Sequence, residues 1–269
     1  MDNTVKERLE SANSMNKNRN YSDAIAIYEE VLQEDATALS GWDARCYVNT
    51  LRKSGNPAKA ETFARSWLDR NFSNQHVLNE LAWSLFDQYL KDSAGNEAQL
   101  VAASKEILEI CKPDDKFAPT KQAIFKIVKY YSKLAIPRYD KALEWLDHLD
   151  EKQLSDEEIQ SPDQDGKMQP GASDLEKYYA AKTASLLHLE RYPECHQYID
   201  LAQQCITQFH NSQDIWMERR KAKCLLKMGR SQDAEKIMTD ILLRKKEWYI
   251  IHEMAEIHFA KANTDEALK

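Results

Sequence analysis

Three groups of residues have the types and spacing to act on a ligand. Arg45 and Asn49 stand four apart, with Arg52 and Lys53 close behind. Asn79, Trp83 and Phe86 follow at steps of four and three. Arg219, Lys223 and Lys227 recur every fourth residue, with Arg220 and Lys221 beside them. Residues three or four apart share one face of a helix. Each group therefore offers guanidinium, ammonium or amide donors, or aromatic rings, along one stripe. That chemistry is recognition of acidic or mixed acidic–aromatic ligands, and Arg and Trp are residue types that often anchor interfaces.

Bond-making chemistry finds no comparable arrangement. His252 and His258 in HEMAEIH stand six apart. A helical zinc site needs histidines at i and i+4, and a spacing of six turns the two rings roughly 120° apart. Cys195 and His196 are adjacent and cannot face one ion from a helix. The six glycines (41, 55, 95, 166, 171, 229) spell no phosphate-binding loop, and no G-x-S-x-G elbow occurs. The sequence predicts no catalytic residues, no metal ligands and no cofactor. Paired acids such as Glu29/Glu30 and Glu157/Glu158 read as solvated helix faces.

The elements that position the three groups are helices, repeated along the chain. One phrase recurs as NYSDAIAIYEEVL (20–32), GNPAKAETFARSWL (55–68), VAASKEILEIC (101–111), RYDKALEWLDHL (138–149), RYPECHQYIDLA (191–202), GRSQDAEKIMTDIL (229–242) and NTDEALK (263–269). Its small residues are Ala24, Ala60, Ala103, Ala142, Cys195, Ala234 and Ala267, spaced 36, 43, 39, 53, 39 and 33 apart. A period in the mid-thirties with loop insertions accounts for this. Each copy follows a helical stretch such as SGWDARCYVNTLRKS or WMERRKAKCLLKM. The small residue lets the two helices of a hairpin approach. The bulky residue four later (Tyr28, Leu146, Ile199, Met238) and those at the next turn (Val31, Leu149, Ala202, Ile241) fill the groove to the neighbouring pair. A single hairpin cannot bury such a stripe alone, whereas stacked hairpins can. Trp67, Trp145, Trp216, Trp248, Tyr28, Tyr139 and Tyr192 fall at packing spacing and read as inter-repeat core.

Turn, aromatic, acidic residue, Ala and then apolar residues, preceded by a small residue in the first helix (Ala222, Ala255), resembles the tetratricopeptide repeat (TPR) family. The resemblance covers most of the chain outside 150–174 and 88–100. It implies an all-α, right-handed α-solenoid of six to seven helix-turn-helix repeats, the last incomplete. It also implies a concave groove lined by the first helix of each pair, which holds a peptide or partner helix. Some members clamp a terminal carboxylate with Lys, Arg and Asn at four-residue spacing; here the matching residues lie four copies apart. Departures are Arg8 where a large aromatic is common, degenerate copies three and five, and the scarcity of a closing proline. Residues 1–149 are read as repeats one to four, 150–174 as an acidic linker or loop, and 175–269 as repeats five to seven. Lys269 falls early in the last second helix, so the chain reads as part of a longer protein.

Composition agrees. In 269 residues there are only 6 Gly and 7 Pro, with 42% hydrophobic and 30% charged residues, which suits a folded, helix-rich protein. Of the net charge of −7, most sits in 150–174, which holds eight acids and two bases. Part of that segment is expected to be disordered, with Ser155 and Glu158 capping a short helix. Five cysteines, an odd number with no C-x-x-C pair, point to a reducing, intracellular, cytoplasmic setting. No apolar run has the length of a signal or a membrane span.

The leading functional reading is a non-enzymatic scaffold that binds a protein or peptide partner in its groove. The rival is a nucleic-acid-binding surface built on RRKAKCLLK (219–227) and RKK (244–246), eight bases in two helices. Against the rival, residues 175–269 are nearly balanced in charge. A third reading lays the acidic segment on the basic stripe as an autoinhibitor.

Overall fold

The computed structural model describes residues 3–92, 96–111, 115–162 and 167–267. It forms two compact units, Met1–Ile127 and Val128–Lys269. Among the described residues thirteen α-helices occur. The first unit holds α1 (Asn3–Lys17), α2 (Tyr21–Glu34), α3 (Gly41–Lys53), α4 (Pro57–Arg70), α5 (Gln75–Leu85) and α6 (Glu97–Ile110). Next, α7 (Thr120–Ser132) spans the boundary. The second unit continues with α8 (Tyr139–Leu146), α9 (Asp174–His188), α10 (Tyr192–Cys205), α11 (Gln213–Lys227), α12 (Ser231–Arg244) and α13 (Trp248–Ala267). Consecutive helices pack on one another from α1 to α6 in the first unit and from α8 to α13 in the second. First helices also touch across a hairpin, α1 on α3 and α3 on α5 in the first unit, α9 on α11 in the second.

The hairpin turn is the same in four copies. The amides of Asn20, Asn56, Arg191 and Arg230 each donate to the carbonyl five residues back, on Met15, Leu51, Leu186 and Leu225. The residue before each has a positive φ: Arg19 (63°), Gly55 (89°), Glu190 (59°) and Gly229 (78°). This is the Schellman stop, in which a left-handed residue lets two late amides recover carbonyls at the end of the first helix. Glycine takes that conformation freely at Gly55 and Gly229, while Arg19 and Glu190 adopt it against the steric preference of an L side chain.

Packing follows the repeated phrase. Ala24, Ala60, Ala142, Cys195 and Ala234 are fully buried, and Ala103 is buried. Tyr28, Leu146, Ile199 and Met238 beyond them are also fully buried. Arg8 takes the place of the expected aromatic and bridges α1 to α2, with Nη1 2.8 Å from Glu34 and Nη2 3.3 Å from Glu30. We expect Ala234→Trp to overpack the contact of α11 with α12 and to lower stability by roughly 1–3 kcal/mol. A thermal unfolding midpoint equal to that of the wild type would show that Ala234 is not the close-approach point.

Four expectations change. The fold is all-α as expected, but the acidic segment read as a linker or loop holds a short ribbon, in which β1 (Ile159–Pro162) pairs antiparallel with β2 (Met168–Gly171). There Ser155 caps no helix; its Oγ accepts from the Glu157 amide in a tight turn just before β1. Pro162 and Pro170 fit strands in a two-stranded ribbon, where an edge needs fewer amide donors. The remainder of the expected disorder, 163–166, lies outside the described residues. The turn expected at Asn263 is not formed, and α13 runs unbroken to Ala267; the side chain of Ala267 lies outside the described residues. Trp248 is not core but 77% exposed. Cys205 is exposed, whereas the other four cysteines are buried. Among the described residues, no helix is long and apolar enough to cross a membrane.

Candidate functional site

Side-chain caps fix where the site helices begin. Ser40 Oγ accepts from the Asp43 amide at the start of α3, and Asn74 Oδ1 accepts from the His76 and Val77 amides at the start of α5. An N-cap of this kind satisfies amides that have no partner within the helix. At Gly41, in the first turn of α3, a Cβ would come within 2.3 Å of the Asn74 side-chain nitrogen and would push that capping side chain aside. With α3 and α5 side by side, Arg45, Asn49, Arg52, Asn79 and Trp83 line one open cavity of about 460 Å³. Trp42, His76, Glu80 and Phe117 complete its lining.

The floor is a buried carboxylate. Glu80, 5% exposed, accepts from Asn49 Nδ2 at 3.1 Å through both oxygens. Arg45 Nη2 lies 3.3 Å and Arg52 Nη2 3.4 Å from it. A carboxylate removed from water needs this degree of compensation. Arg52 turns its other nitrogen to Asp87 at 2.8 Å. Asp87 sits in a π-helical turn, Phe86–Leu90, that extends α5; the extra residue per turn re-aims side chains there. Asn79 donates to Asp115 at 2.7 Å, and Trp83 Nε1 donates to the Phe117 carbonyl at 2.7 Å. The loop at 115–118 is thereby tied over the cavity's edge.

Aromatic groups frame the opening. Trp42 is 53% and Phe117 69% exposed. The Arg45 guanidinium lies 5.1 Å from the centre of Trp42, and that of Arg52 5.4 Å from Trp83. Phe86 does not reach the cavity. It is 8% exposed, packed in the core and edge-on to Trp83. A second cavity of about 530 Å³ opens on the other side of Trp42, between α1 and α3, lined by Lys6, Glu10, Asn13, Lys17 and Asp43 among others.

The third predicted group lies in the second unit and is engaged differently. Arg219 forms a two-point ion pair with Glu253 of α13, and Lys223 Nζ stands 2.6 Å from the same carboxylate. Glu253 is 7% exposed. Burial pushes its carboxyl upward, but the hydrogen bonds and charges of Arg219 and Lys223 outweigh that and hold it below the usual carboxylate range. Arg219 also lies over Trp216 and Tyr249, which stack with centres 5.8 Å apart. Arg219 and Lys223, expected as free cations for a ligand, are thus engaged within the chain: they clamp a buried acid. Lys227 is exposed. Lys221 pairs with Asp200, and Arg244 with Asp214 and Glu218. The acidic segment is engaged elsewhere, with Asp156 accepting from the Thr207 amide at 2.9 Å.

Trp42, Glu80 and Phe117 were not selected from the sequence. Trp42 precedes Arg45 by three and Asn49 by seven, so helical spacing alone places it on that stripe. Glu80 had no local signal, because its partners stand a repeat away.

No family model matches this sequence, and no curated protein does. Among solved structures, a tetratricopeptide repeat protein from Parabacteroides merdae is 13% identical with a TM-score of 0.46, covering 98% of this chain and 89% of that one. The C-terminal part of a TPR repeat-containing protein from Cytophaga hutchinsonii is 10% identical with a TM-score of 0.49, covering 87% and 78%. The TPR2AB domain of yeast Sti1, in complex with pHSP90, is 9% identical with a TM-score of 0.42, covering 97% and 100%.

Proposed function

We propose that this chain is a non-enzymatic interaction scaffold, and that its first unit takes an extended peptide segment of a protein partner across Trp42. The observation that supports this is the pair of cavities on either side of that half-exposed indole, one edged by Arg45, Asn49 and Trp83, the other by Lys6, Asn13 and Lys17. An indole ridge between two polar-edged hollows suits a chain whose alternate side chains drop to either side. Arg45 is the cation to meet an acidic side chain, since its side chain is 34% exposed whereas Arg52 is 8% exposed and already shared by two acids. The preferred ligand carries one acidic and one aromatic or apolar residue.

The polar groups in the groove hold α3 and α5 together, which favours a rigid binding surface over a reactive centre. Nucleic acid is the weaker reading, because Arg219, Lys221, Lys223 and Arg244 of the eight-base cluster already have carboxylate partners. A peptide library panned on the whole chain tests the proposal. Peptides selected from it should bind Trp42→Ala and Arg45→Ala at least tenfold more weakly, as expected for anchor residues, with the unfolding midpoint of Trp42→Ala unchanged and that of Arg45→Ala lowered by its lost contact with Glu80. Equal binding to wild type and both variants would remove the groove from the site.

A further inference from the structure

Of the apolar surface left open, one stripe has an order of its own. Trp248, Ile251 and Phe259 of α13 are 77%, 57% and 69% exposed, and Ala255 and Ala262 between and beyond them are exposed too. These five fall at steps of three, four, four and three, which places them within one narrow band of the helix. The opposite face holds Ile250, Glu253 and Ile257, all buried. The helix thus has two apolar faces, and only one is covered. In the preceding copy the equivalent of Ala255 is Ala222, thirty-three residues earlier as Ala234 is to Ala267. Ala222 is fully buried, in one cluster with Ala234 and Met238 of α12. The bare stripe is therefore the continuation of a face that the stack elsewhere covers with a helix.

We propose that a second copy of this chain covers it, through an antiparallel α13–α13 contact about a two-fold axis at Ala255. A two-fold interface requires that residue i meet j while j meets i. The step order 3-4-4-3 reads the same in both directions, so reversing the helix keeps every member of the stripe in register. Ile251 then faces Phe259 of the other copy, and the large Trp248 faces the small Ala262. Ala255 faces itself, where a small residue allows the closest approach. The polar rim is already engaged within the chain. His252 Nδ1 is 3.9 Å from Glu256 and His258 Nδ1 3.5 Å from Glu235. An apolar centre with a polar rim is the arrangement of an interface core.

The test is the mass of the whole chain in solution by light scattering and sedimentation, over a concentration series. The wild type should shift from monomer to dimer as concentration rises, with Trp248 emission moving to the blue as water leaves it. Phe259→Glu and Ala255→Trp should each weaken the dimer at least tenfold. Both positions are exposed, so unfolding midpoints measured on dilute monomer should stay at the wild-type value. A wild type that remains monomeric up to roughly 1 mM, or a dimer that survives Phe259→Glu, overturns the proposal. So does a dimer lost on Trp42→Ala, which would place the contact in the groove.

Discussion

Arg52→Ala is expected to lower the stability of the first unit by about 3–5 kcal/mol, the range for breaking a buried ion pair from one side. Its side chain is 8% exposed and lies between Glu80 at 3.4 Å and Asp87 at 2.8 Å. Removing it leaves two carboxylates short of their shared cation, and Trp83 loses the guanidinium on its face. Arg45 and Asn49 still hold Glu80, but Asp87 retains no comparable contact among those described above. Arg52→Lys keeps the charge and loses the two-armed geometry, so it should fall between the two. Urea unfolding, with Trp83 among the fluorescent reporters, measures the difference. A midpoint unchanged by Arg52→Ala would mean that the cluster contributes nothing to the fold.

The second large effect concerns Arg219 and Lys223. Reversing both to Glu puts three carboxylates where one carboxylate and two cations now stand. Because Glu253 is buried, a loss of at least about 3–5 kcal/mol is expected, with fraying of α13 from α11. Glu253→Gln offers the milder comparison, since it removes the charge and keeps the shape. The same cluster sets a pH dependence. Glu253 titrates below its ordinary value of 4.5 in the folded chain. Its stabilisation is therefore complete above the unfolded value and is lost as pH falls through the depressed folded one. Wild type and Glu253→Gln should differ by a constant amount at neutral pH and converge in acid. Parallel curves down to the lowest pH would remove Glu253 as the cause.

Helix positions and close-approach residues were legible because a small residue after a turn, with bulky ones four and seven later, is a statement about one hairpin. Ala24, Ala60 and Ala234 could be picked out without knowledge of their neighbours. Arg45, Asn49 and Asn79 were legible as a stripe for the same reason. What they bind within the chain was not. Glu80 and Glu253 stand about one repeat from their cations, and a single helix face carries no sign of the next. The period itself held a usable signal, since Arg219 and Glu253 are separated by 34 residues, close to the repeat length. Reading charges at that separation would have turned the basic stripe from a ligand-binding face into half of an ion cluster. Phe86 differs: it stands at the start of the π-helical turn and is packed in the core, edge-on to Trp83, away from the cavity.

From α1 to α6 and from α8 to α13 each helix touches the next in sequence, and α1, α3 and α9 also touch the one after. For a chain under synthesis this matters in time. At roughly 5–20 residues per second, a ribosome needs several seconds to deliver one repeat, whereas a helix forms in about a microsecond and a hairpin contact follows soon after. Each hairpin's partner is the one delivered just before it, so a newly emerged stripe waits only for its own second helix. Contacts so local spare the nascent chain long exposure of its apolar faces.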